Sequence, residues 1–259
     1  MAELTPMMKQ YFEIKNKNKD YILFYRLGDF YEMFFEDAKL ASCELELTLT
    51  GRDCGQEERA PMCGVPYHSA ESYIAKLVRK GYKIAICEQV EDPKLTKGLV
   101  KREIVRRVTP GTVVEASMLE EERNNFLGCV YAEQGGIGVC FADITTGEVY
   151  ATGSGNWQEI ASELGRFSPR EVLVGGTAAT ADAFLTFLKE RLEALIEPMP
   201  DECFEMQRAA EHIRGHFRIE DFDAAGLTDL PQTVQCLGGL LDYLEQTQQA
   251  SLAPLPPFP

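Results

Sequence analysis

The sequence predicts two α/β domains, a small one with a mixed sheet followed by a larger one. Its 259 residues are enough to form two separate cores. Helix and strand signals occur in both halves, as they do in α/β proteins. Residues 1–116 carry 18 Lys and Arg against 18 Asp and Glu, whereas residues 117–259 carry 8 against 23. The whole net charge of −15 therefore lies in the second half, which disfavours nucleic acid as a partner there and permits it in the first half.

The first half mixes helix and strand signals without a regular βαβ order. Thr5 is a good helix cap and is followed by Pro6, so a helix is predicted to begin there. Ser69 is the predicted cap of a later helix, which ends at Gly81. The other predicted elements are two strands within residues 21–35, a helix around 37–41, a strand-like run at 47–50, a loop at 51–60 and a strand at 82–87. With an irregular charged linker from about residue 91, they make a small mixed-sheet α/β domain over residues 1–116.

The second half has a more regular order of predicted elements. Three strands separated by short glycine-containing turns come first, at 126–132, 138–144 and 148–152. They are followed by a helix at 157–167, a strand at 171–174, a helix at 181–192, a strand at 195–196, and helices at 204–216 and 233–246. Three meandering strands followed by alternating helix and strand is the order of ribonuclease-H-like domains. We expect this domain over residues 117–248, and a proline-rich, truncated link to further regions over 249–259.

Phe30 and Glu32 are the most informative pair of side chains. They follow a predicted turn at residues 28–29, on the second of two strands. Residues two apart in a strand project from the same face, so the ring and the carboxylate should lie side by side. Such a pair is suited to stack on a base and to accept a hydrogen bond from it. Taken alone, Phe30 is better explained as a core aromatic, although a carboxylate on a buried face would then need a partner.

Four sequence blocks give the chain a resemblance to a known family. The first is Phe30-x-Glu32; the others are PMCGVPYH at 61–68, AICEQ at 85–89 and VTPGT at 108–112. In order and spacing these blocks resemble the amino-terminal part of the MutS family of DNA mismatch-repair proteins, whose mismatch-reading motif is Phe-x-Glu. The resemblance extends over essentially the whole chain. It implies a mismatch-recognition domain followed by a ribonuclease-H-like connector domain.

The resemblance also implies roles for individual residues. Phe30 would enter the minor groove and stack on a mispaired or unpaired base, and Glu32 would hydrogen-bond that base. Because a base step opens at lower cost where pairing is already poor, such a wedge reads deformability more than sequence. Four further residues are candidates for contacts with DNA: Arg52, Met62, Val65 and Pro66. Three arginines are either a phosphate anchor or a solvated linker face: Arg102, Arg106 and Arg107.

Further expectations concern partners and cofactors. The resemblance implies mismatched duplex DNA as a partner of the first domain and MutL as a partner of the connector domain. The sequence has no G-x-x-x-x-G-K-[ST] phosphate loop. Proteins of the family carry their ATPase and dimer interface near the carboxyl end. We therefore expect no catalytic residues, no bound ATP or Mg²⁺ and no dimer for these 259 residues alone.

Two other functions stay open. Asp143 ends a predicted central strand, where ribonuclease-H-like nucleases place the carboxylates that hold two metal ions. Glu148 and Asp182 are further acidic residues, but they do not complete a recognisable set, and a fold is often reused without its chemistry. A metal-dependent nuclease is one alternative. The other is a protein-interaction module without mismatch reading, which the Phe30-x-Glu32 motif disfavours.

The cysteines and the apolar runs indicate the compartment. No pair of the eight cysteines has the spacing C-x₂-C or C-x₄-C, and the three histidines do not flank them as zinc ligands would. The first 20 residues lack the pattern of a signal peptide, and no apolar run has the length of a membrane span. We expect a cytoplasmic protein with reduced thiols and no metal.

Overall fold

The structure is a computed structural model that describes residues 4–91, 98–114, 124–218, 222, 226–227 and 231–248. The chain forms two compact units, Met1–Thr109 (unit 1) and Pro110–Pro259 (unit 2). The domain boundary predicted at residues 116 and 117 and the link predicted at 249–259 lie outside the described residues. Among the described helices, none is long and apolar enough to span a membrane.

Unit 1 combines helices with a six-stranded mixed sheet, as predicted. The elements are α1 (Pro6–Asn16), β1 (Ile22–Leu27), β2 (Phe30–Phe34), α2 (Phe35–Leu45), β3 (Thr50–Arg52), β4 (Ala60–Pro66), α3 (Ala70–Arg79), β5 (Ile84–Gln89) and β6 (Arg102–Val108). The strand order is β3-β4-β2-β1-β5-β6. The β1–β5 pair is parallel, and the other neighbouring pairs are antiparallel.

The two predicted helix starts in unit 1 have different outcomes. Thr5 caps α1, because its Oγ1 accepts a hydrogen bond from the Met8 amide at 3.4 Å, and Pro6 is the first helical residue. Ser69 occupies the N-cap position of α3, as predicted, but its side chain makes no capping hydrogen bond. Its hydroxyl instead donates to the Pro66 carbonyl at 3.2 Å, within a 3₁₀ turn that precedes α3.

Two segments predicted to be irregular contain strands. The predicted loop at 51–60 includes most of β3 and the first residue of β4, and the predicted linker from residue 91 contains β6. The β6 arginines are held by distant groups, which the local sequence does not reveal. Arg102 Nε donates to the Arg26 carbonyl at 2.8 Å, and Arg107 Nη2 donates to Asn18 Oδ1 at 3.0 Å. These two arginines are therefore part of the fold rather than a solvated linker face.

Unit 2 follows the predicted order closely. Its elements are β7 (Phe126–Glu133), β8 (Gly136–Asp143), β9 (Glu148–Ser154), α4 (Trp157–Phe167), β10 (Glu171–Gly176), α5 (Asp182–Glu190), β11 (Leu195–Pro198), α6 (Met206–Phe217) and α7 (Pro231–Thr247). The sheet order is β11-β10-β7-β8-β9, with β7, β8 and β9 antiparallel and β10 and β11 parallel to β7. This is the ribonuclease-H-like arrangement that the sequence predicts.

Both faces of the unit 2 sheet are covered by helices. One buried cluster joins the sheet to α6 and α7, and a second joins the opposite face to α4 and α5. The α7 helix lies very close to its neighbours. A Cβ at Gly238 would collide with Ala209 of α6, and one at Gly138 of β8 would collide with the Gln232 backbone. Glycine is required at these two positions by close approach, and the core is dense as a result.

Candidate nucleic-acid interface

The β1–β2 hairpin is the part of unit 1 that carries the predicted site. Gly28 and Asp29 connect the strands, and Leu27 pairs with Phe30 across the turn. Gly28 has a φ of 59°, whereas Asp29 does not have a positive φ. A glycine in this conformation at the first turn position is typical of a two-residue type II′ hairpin. A residue with a Cβ would be strained there, so the sequence specifies a short, tightly closed turn.

Phe30 lies at the start of β2 and is 47% exposed. Phe34, on the same face of the same strand, is fully buried. The difference arises because α1 covers the middle of this face, where Tyr11 packs edge-on against Phe34 at a centroid distance of 5.1 Å. The hairpin end of the face remains open. Phe30 is therefore not a core residue, and an unusually large apolar side chain is exposed at this end.

Glu32 lies on the same face as Phe30 and is paired with a cation. The strand register places Phe30 opposite Pro66 and Glu32 opposite Gly64, so both side chains project to one side, as predicted. Arg52 Nη1 donates to the two carboxylate oxygens of Glu32 at 2.6 and 2.5 Å. The Glu32 side chain is 13% exposed and the Arg52 side chain 38%. The Arg52 contact supplies the partner that a half-buried carboxylate needs.

Gly64 lies close to the backbone of β2. A Cβ on Gly64 would lie 3.4 Å from Glu32 Cγ and 3.2 Å from the Tyr31 carbonyl oxygen. A residue with a side chain here would be tight against the Tyr31 carbonyl, whereas its distance to Glu32 would be an ordinary van der Waals contact. Gly64 belongs to the PMCGVPYH block, whose glycine therefore has a specific structural reason.

Arg26 supports the hairpin from the opposite face. Its Nε donates to the Gly28 carbonyl at 2.5 Å, and its Nη1 donates to Glu88 Oε1 at 3.2 Å. The guanidinium also lies over the Tyr67 ring, 3.8 Å from the centroid, and the Tyr67 amide donates to the Asp29 carbonyl at 2.9 Å. The turn is thus held on both of its residues. These contacts fix the position of Phe30 before any ligand binds.

Tyr31 and Glu88 complete this support. The Tyr31 hydroxyl donates to Glu88 Oε1, and burial, followed by this hydrogen bond, raises the pKa of Tyr31. Sequence reasoning did not identify these supporting residues or Arg26, because their partners lie up to 62 positions away along the chain.

The four further residues predicted to contact DNA lie on both faces of the sheet. Arg52, Met62 and Pro66 share the face of Phe30 and Glu32, as the strand pairing shows. Met62 is partly buried against the core cluster behind this face. Val65 pairs with Tyr31 on the opposite face and is fully buried. A ligand on the Phe30 face cannot reach Val65 in this structure, so we leave Val65 out of the interface.

The arginines of β6 do not offer a ready phosphate anchor. Arg102 is 6% exposed, donates to Gln10 Oε1 at 3.1 Å and has its guanidinium 5.0 Å from the centroid of the Tyr25 ring. Arg107 donates to Asn18, as described above. Arg52 shares the face of Phe30 and Glu32 and contacts Glu32 directly.

The VTPGT block at 108–112 has a structural explanation in unit 2. The Gly111 amide donates to Glu171 Oε2 at 2.9 Å, and the Tyr243 hydroxyl donates to Glu171 Oε1 at 2.6 Å. A Cβ on Gly111 would lie 2.8 Å from Leu127 and 2.9 Å from Glu171. The glycine is therefore required where the segment passes over a fully buried carboxylate.

Asp143 has a structural role that competes with metal binding. It is fully buried, and its carboxylate accepts hydrogen bonds from the Asn125 amide at 2.9 Å and from the Thr145 amide and hydroxyl at 2.8 and 2.6 Å. Glu148 is exposed and accepts a hydrogen bond from Asn124 at 2.6 Å. Across the described residues, no group of three or more His, Cys, Asp or Glu is placed to hold a metal ion. The structure therefore gives no support to the nuclease alternative.

The fold and the site together define a class of protein. It is a two-domain α/β protein whose first domain presents an exposed aromatic ring beside an ion-paired carboxylate, and whose second domain is ribonuclease-H-like. Family models give this class a name. Residues 5–117 match the model of MutS domain I, and residues 125–258 match that of MutS domain II. The chain belongs to the MutS family.

Curated relatives agree with the family models. A protein of Acetivibrio thermocellus named "DNA mismatch repair protein MutS" is 49% identical over the whole of this chain, which covers 30% of that relative. Proteins of the same name from Lachnoclostridium phytofermentans and Ruminiclostridium cellulolyticum are 49% and 47% identical. The chain thus spans about 30% of the length of the relatives it matches.

Proposed function

We propose that this chain acts in DNA mismatch repair by recognising mispaired or unpaired bases in duplex DNA. Phe30 would be the wedge that stacks on the base, and Glu32 would accept a hydrogen bond from it. The observation that carries the proposal is the 47% exposure of Phe30 on the face of Glu32, at the end of a hairpin. Exposing this ring costs apolar burial, and inserting it between bases of a weakened step recovers that burial.

The wider protein context is part of the same proposal. Unit 2 would relay between unit 1, an ATPase region and MutL; its excess of acidic residues suits a protein partner better than a polyanion. ATP and Mg²⁺ would bind outside these 259 residues, which have no phosphate loop of the P-loop type. We expect the chain alone to be monomeric and to bind DNA weakly, because its first half has no net charge and its acidic second half repels a polyanion.

The test uses a chimaera in which this chain replaces the corresponding region of the Acetivibrio thermocellus relative. Fluorescence anisotropy measures its affinity for a duplex with one G·T mismatch and for the matched duplex. Phe30→Ala should lower mismatch affinity by about 5- to 150-fold, the range that 1–3 kcal/mol of lost stacking gives, down to the level of the matched duplex. Leu49→Ala is the matched control, since Leu49 is also 47% exposed.

Glu32→Ala should behave differently. It removes a base contact and also a negative charge near phosphates, so affinity for the matched duplex should be retained or raised while selectivity is lost. Thermal melting establishes that each variant is folded. If Phe30→Ala keeps full mismatch selectivity, the wedge is not the reading element and the proposal fails.

A further inference from the structure

The Glu32–Arg52 ion pair points to a function for Arg52 beyond contact with the DNA backbone. We propose that Arg52 is a positioning residue for Glu32, which couples phosphate binding to the availability of the carboxylate. Without DNA, the guanidinium holds both carboxylate oxygens and screens their charge. When a phosphate engages Arg52, its hold on Glu32 weakens, and a carboxylate oxygen becomes free to accept a hydrogen bond from the base. This inference rests on the proposed function.

The geometry gives the phosphate access to Arg52 first. Arg52 lies on β3, at the edge of the sheet, and reaches across β4 to Glu32 on β2. Its side chain is 38% exposed, whereas that of Glu32 is 13% exposed. An approaching duplex therefore meets the guanidinium before it meets the carboxylate. Both contacts to Glu32 use the same nitrogen, Nη1, of a group that has five N–H donors, so Arg52 can engage a phosphate before it releases the carboxylate.

The charges make the coupling useful for discrimination. An uncovered carboxylate near the backbone would repel every duplex, matched or mismatched. With Arg52 in place, that repulsion is screened during the first encounter. Glu32 is needed only where a base can be reached, at a step that the wedge has opened. Arg52 thus keeps Glu32 neutralised until a phosphate engages the guanidinium, and the released carboxylate then finds a base to contact only at a step that the wedge has opened.

A double-mutant cycle in the chimaera tests the coupling with the same G·T and matched duplexes. The variants are Arg52→Met, which removes the charge and keeps the length, Glu32→Gln, and the combination of the two. Arg52→Met should lower the ratio of mismatch to matched affinity by about three- to fivefold, the upper part of the range measured for exposed ion pairs. In the Glu32→Gln background the same change should leave the ratio within about twofold, while overall affinity falls. Arg52→Lys should rescue most of the ratio because it restores a cation for Glu32.

The outcomes separate the possible roles of Arg52. If Arg52→Met lowers both affinities by the same factor in both backgrounds, Arg52 is only a phosphate contact and the coupling is overturned. If Arg52→Met and Arg52→Lys both lower the thermal stability, Arg52 only holds β3 in the fold, and the coupling is overturned as well. Loss of selectivity in Phe30→Ala, with no coupling between Arg52 and Glu32, would reject this inference and leave the proposed function intact. An unsubstituted chimaera without mismatch selectivity would reject both.

Discussion

The two units differ in how they treat the faces of their sheets. In unit 2, helices cover both faces, and glycines at positions 138 and 238 let α7 lie against the sheet and α6 without a gap. In unit 1, α1 leaves the hairpin end of one face open, with Phe30 exposed beside Glu32. The exposed ring is held by a supported turn rather than by burial. A short hairpin with contacts on its reverse face can therefore hold an exposed ring rigidly without covering it.

The two halves of the chain also differ in net charge. The first 116 residues have no net charge, and the remainder carries the whole net charge of −15. A uniformly acidic chain would repel DNA along its full length. Confining the acid to the second half leaves the open face of unit 1 available to a polyanion. The two halves of the chain thus differ in how strongly they repel a polyanion.

The largest expected effect is a difference in stability loss between two substitutions, one of a buried aromatic residue in unit 2 and one of the exposed aromatic residue in unit 1. Phe204 is 1% exposed and stacks on Tyr131 at a centroid distance of 4.7 Å, so Phe204→Ala should destabilise unit 2 by about 3–5 kcal/mol. Phe30→Ala should change stability by less than about 1 kcal/mol. Trp157, the single tryptophan, lies in unit 2, so its fluorescence during urea unfolding reports on that unit.

One result of this comparison would contradict the assignment of Phe30 as an exposed wedge. If Phe30→Ala destabilises unit 1 by as much as Phe204→Ala destabilises unit 2, the open face of unit 1 is a core face and the wedge is misassigned. Unfolding of unit 1 is followed by amide hydrogen exchange of its buried strand β1.

An intermediate effect is expected from loosening the hairpin. Arg26→Met removes the contacts to the Gly28 carbonyl, Glu88 and the Tyr67 ring, and should cost about 1–2 kcal/mol, since hydrogen bonds to charged groups are among the stronger ones. The amides of the turn should exchange faster in this variant, and mismatch selectivity should fall although Phe30 is intact. Arg26→Lys keeps the charge for Glu88 but loses the fork geometry, and serves as the control. Unchanged exchange at the turn would show that the backbone alone fixes the wedge.

The smallest effect concerns thiol reactivity, which also differs between the units. Cys43, in unit 1, is exposed, whereas the other seven cysteines are buried. Burial raises the pKa of Cys63 to about 11 and that of Cys87 to about 12, so neither is appreciably ionised at pH 8. One thiol should therefore react rapidly with a disulfide reagent at pH 8, and Cys43→Ser should abolish that reaction. Rapid reaction of a unit 2 thiol would contradict the closed core described for that unit.

The sequence predicts unit 2 better than unit 1 for a physical reason. In unit 2, strands and helices alternate with glycine-containing turns, so local signals mark each element. In unit 1, β6 is the run Arg-Glu-Ile-Val-Arg-Arg-Val, which has no regular alternation, and Arg102 and Arg107 donate to Arg26 and Asn18, which lie far away along the chain. β4 contains two prolines and a glycine, which locally predict a turn. Such strands are recognisable only when their neighbours are known.

The site shows the same division. The shared face of Phe30 and Glu32 follows from strand alternation, and the structure confirms it. The Glu32–Arg52 contact could not be predicted, because it depends on β4 lying between β2 and β3. The placement of Val65 on the opposite face follows from the same register, which no local pattern supplies.

The position of α7 has a consequence for how the chain is made. Cys236 of α7 donates from Sγ to the Cys129 carbonyl at 3.0 Å, a contact between residues 107 positions apart. The part of the sheet face that α7 mainly contacts, formed by β7, β8 and β9, is complete when β9 leaves the ribosome, but α7 follows about 80 residues later. At typical translation speeds that face stays uncovered for roughly 4–16 s. A nascent chain in this interval exposes an apolar sheet surface, and we expect chaperones to bind it there rather than at the hairpin of unit 1.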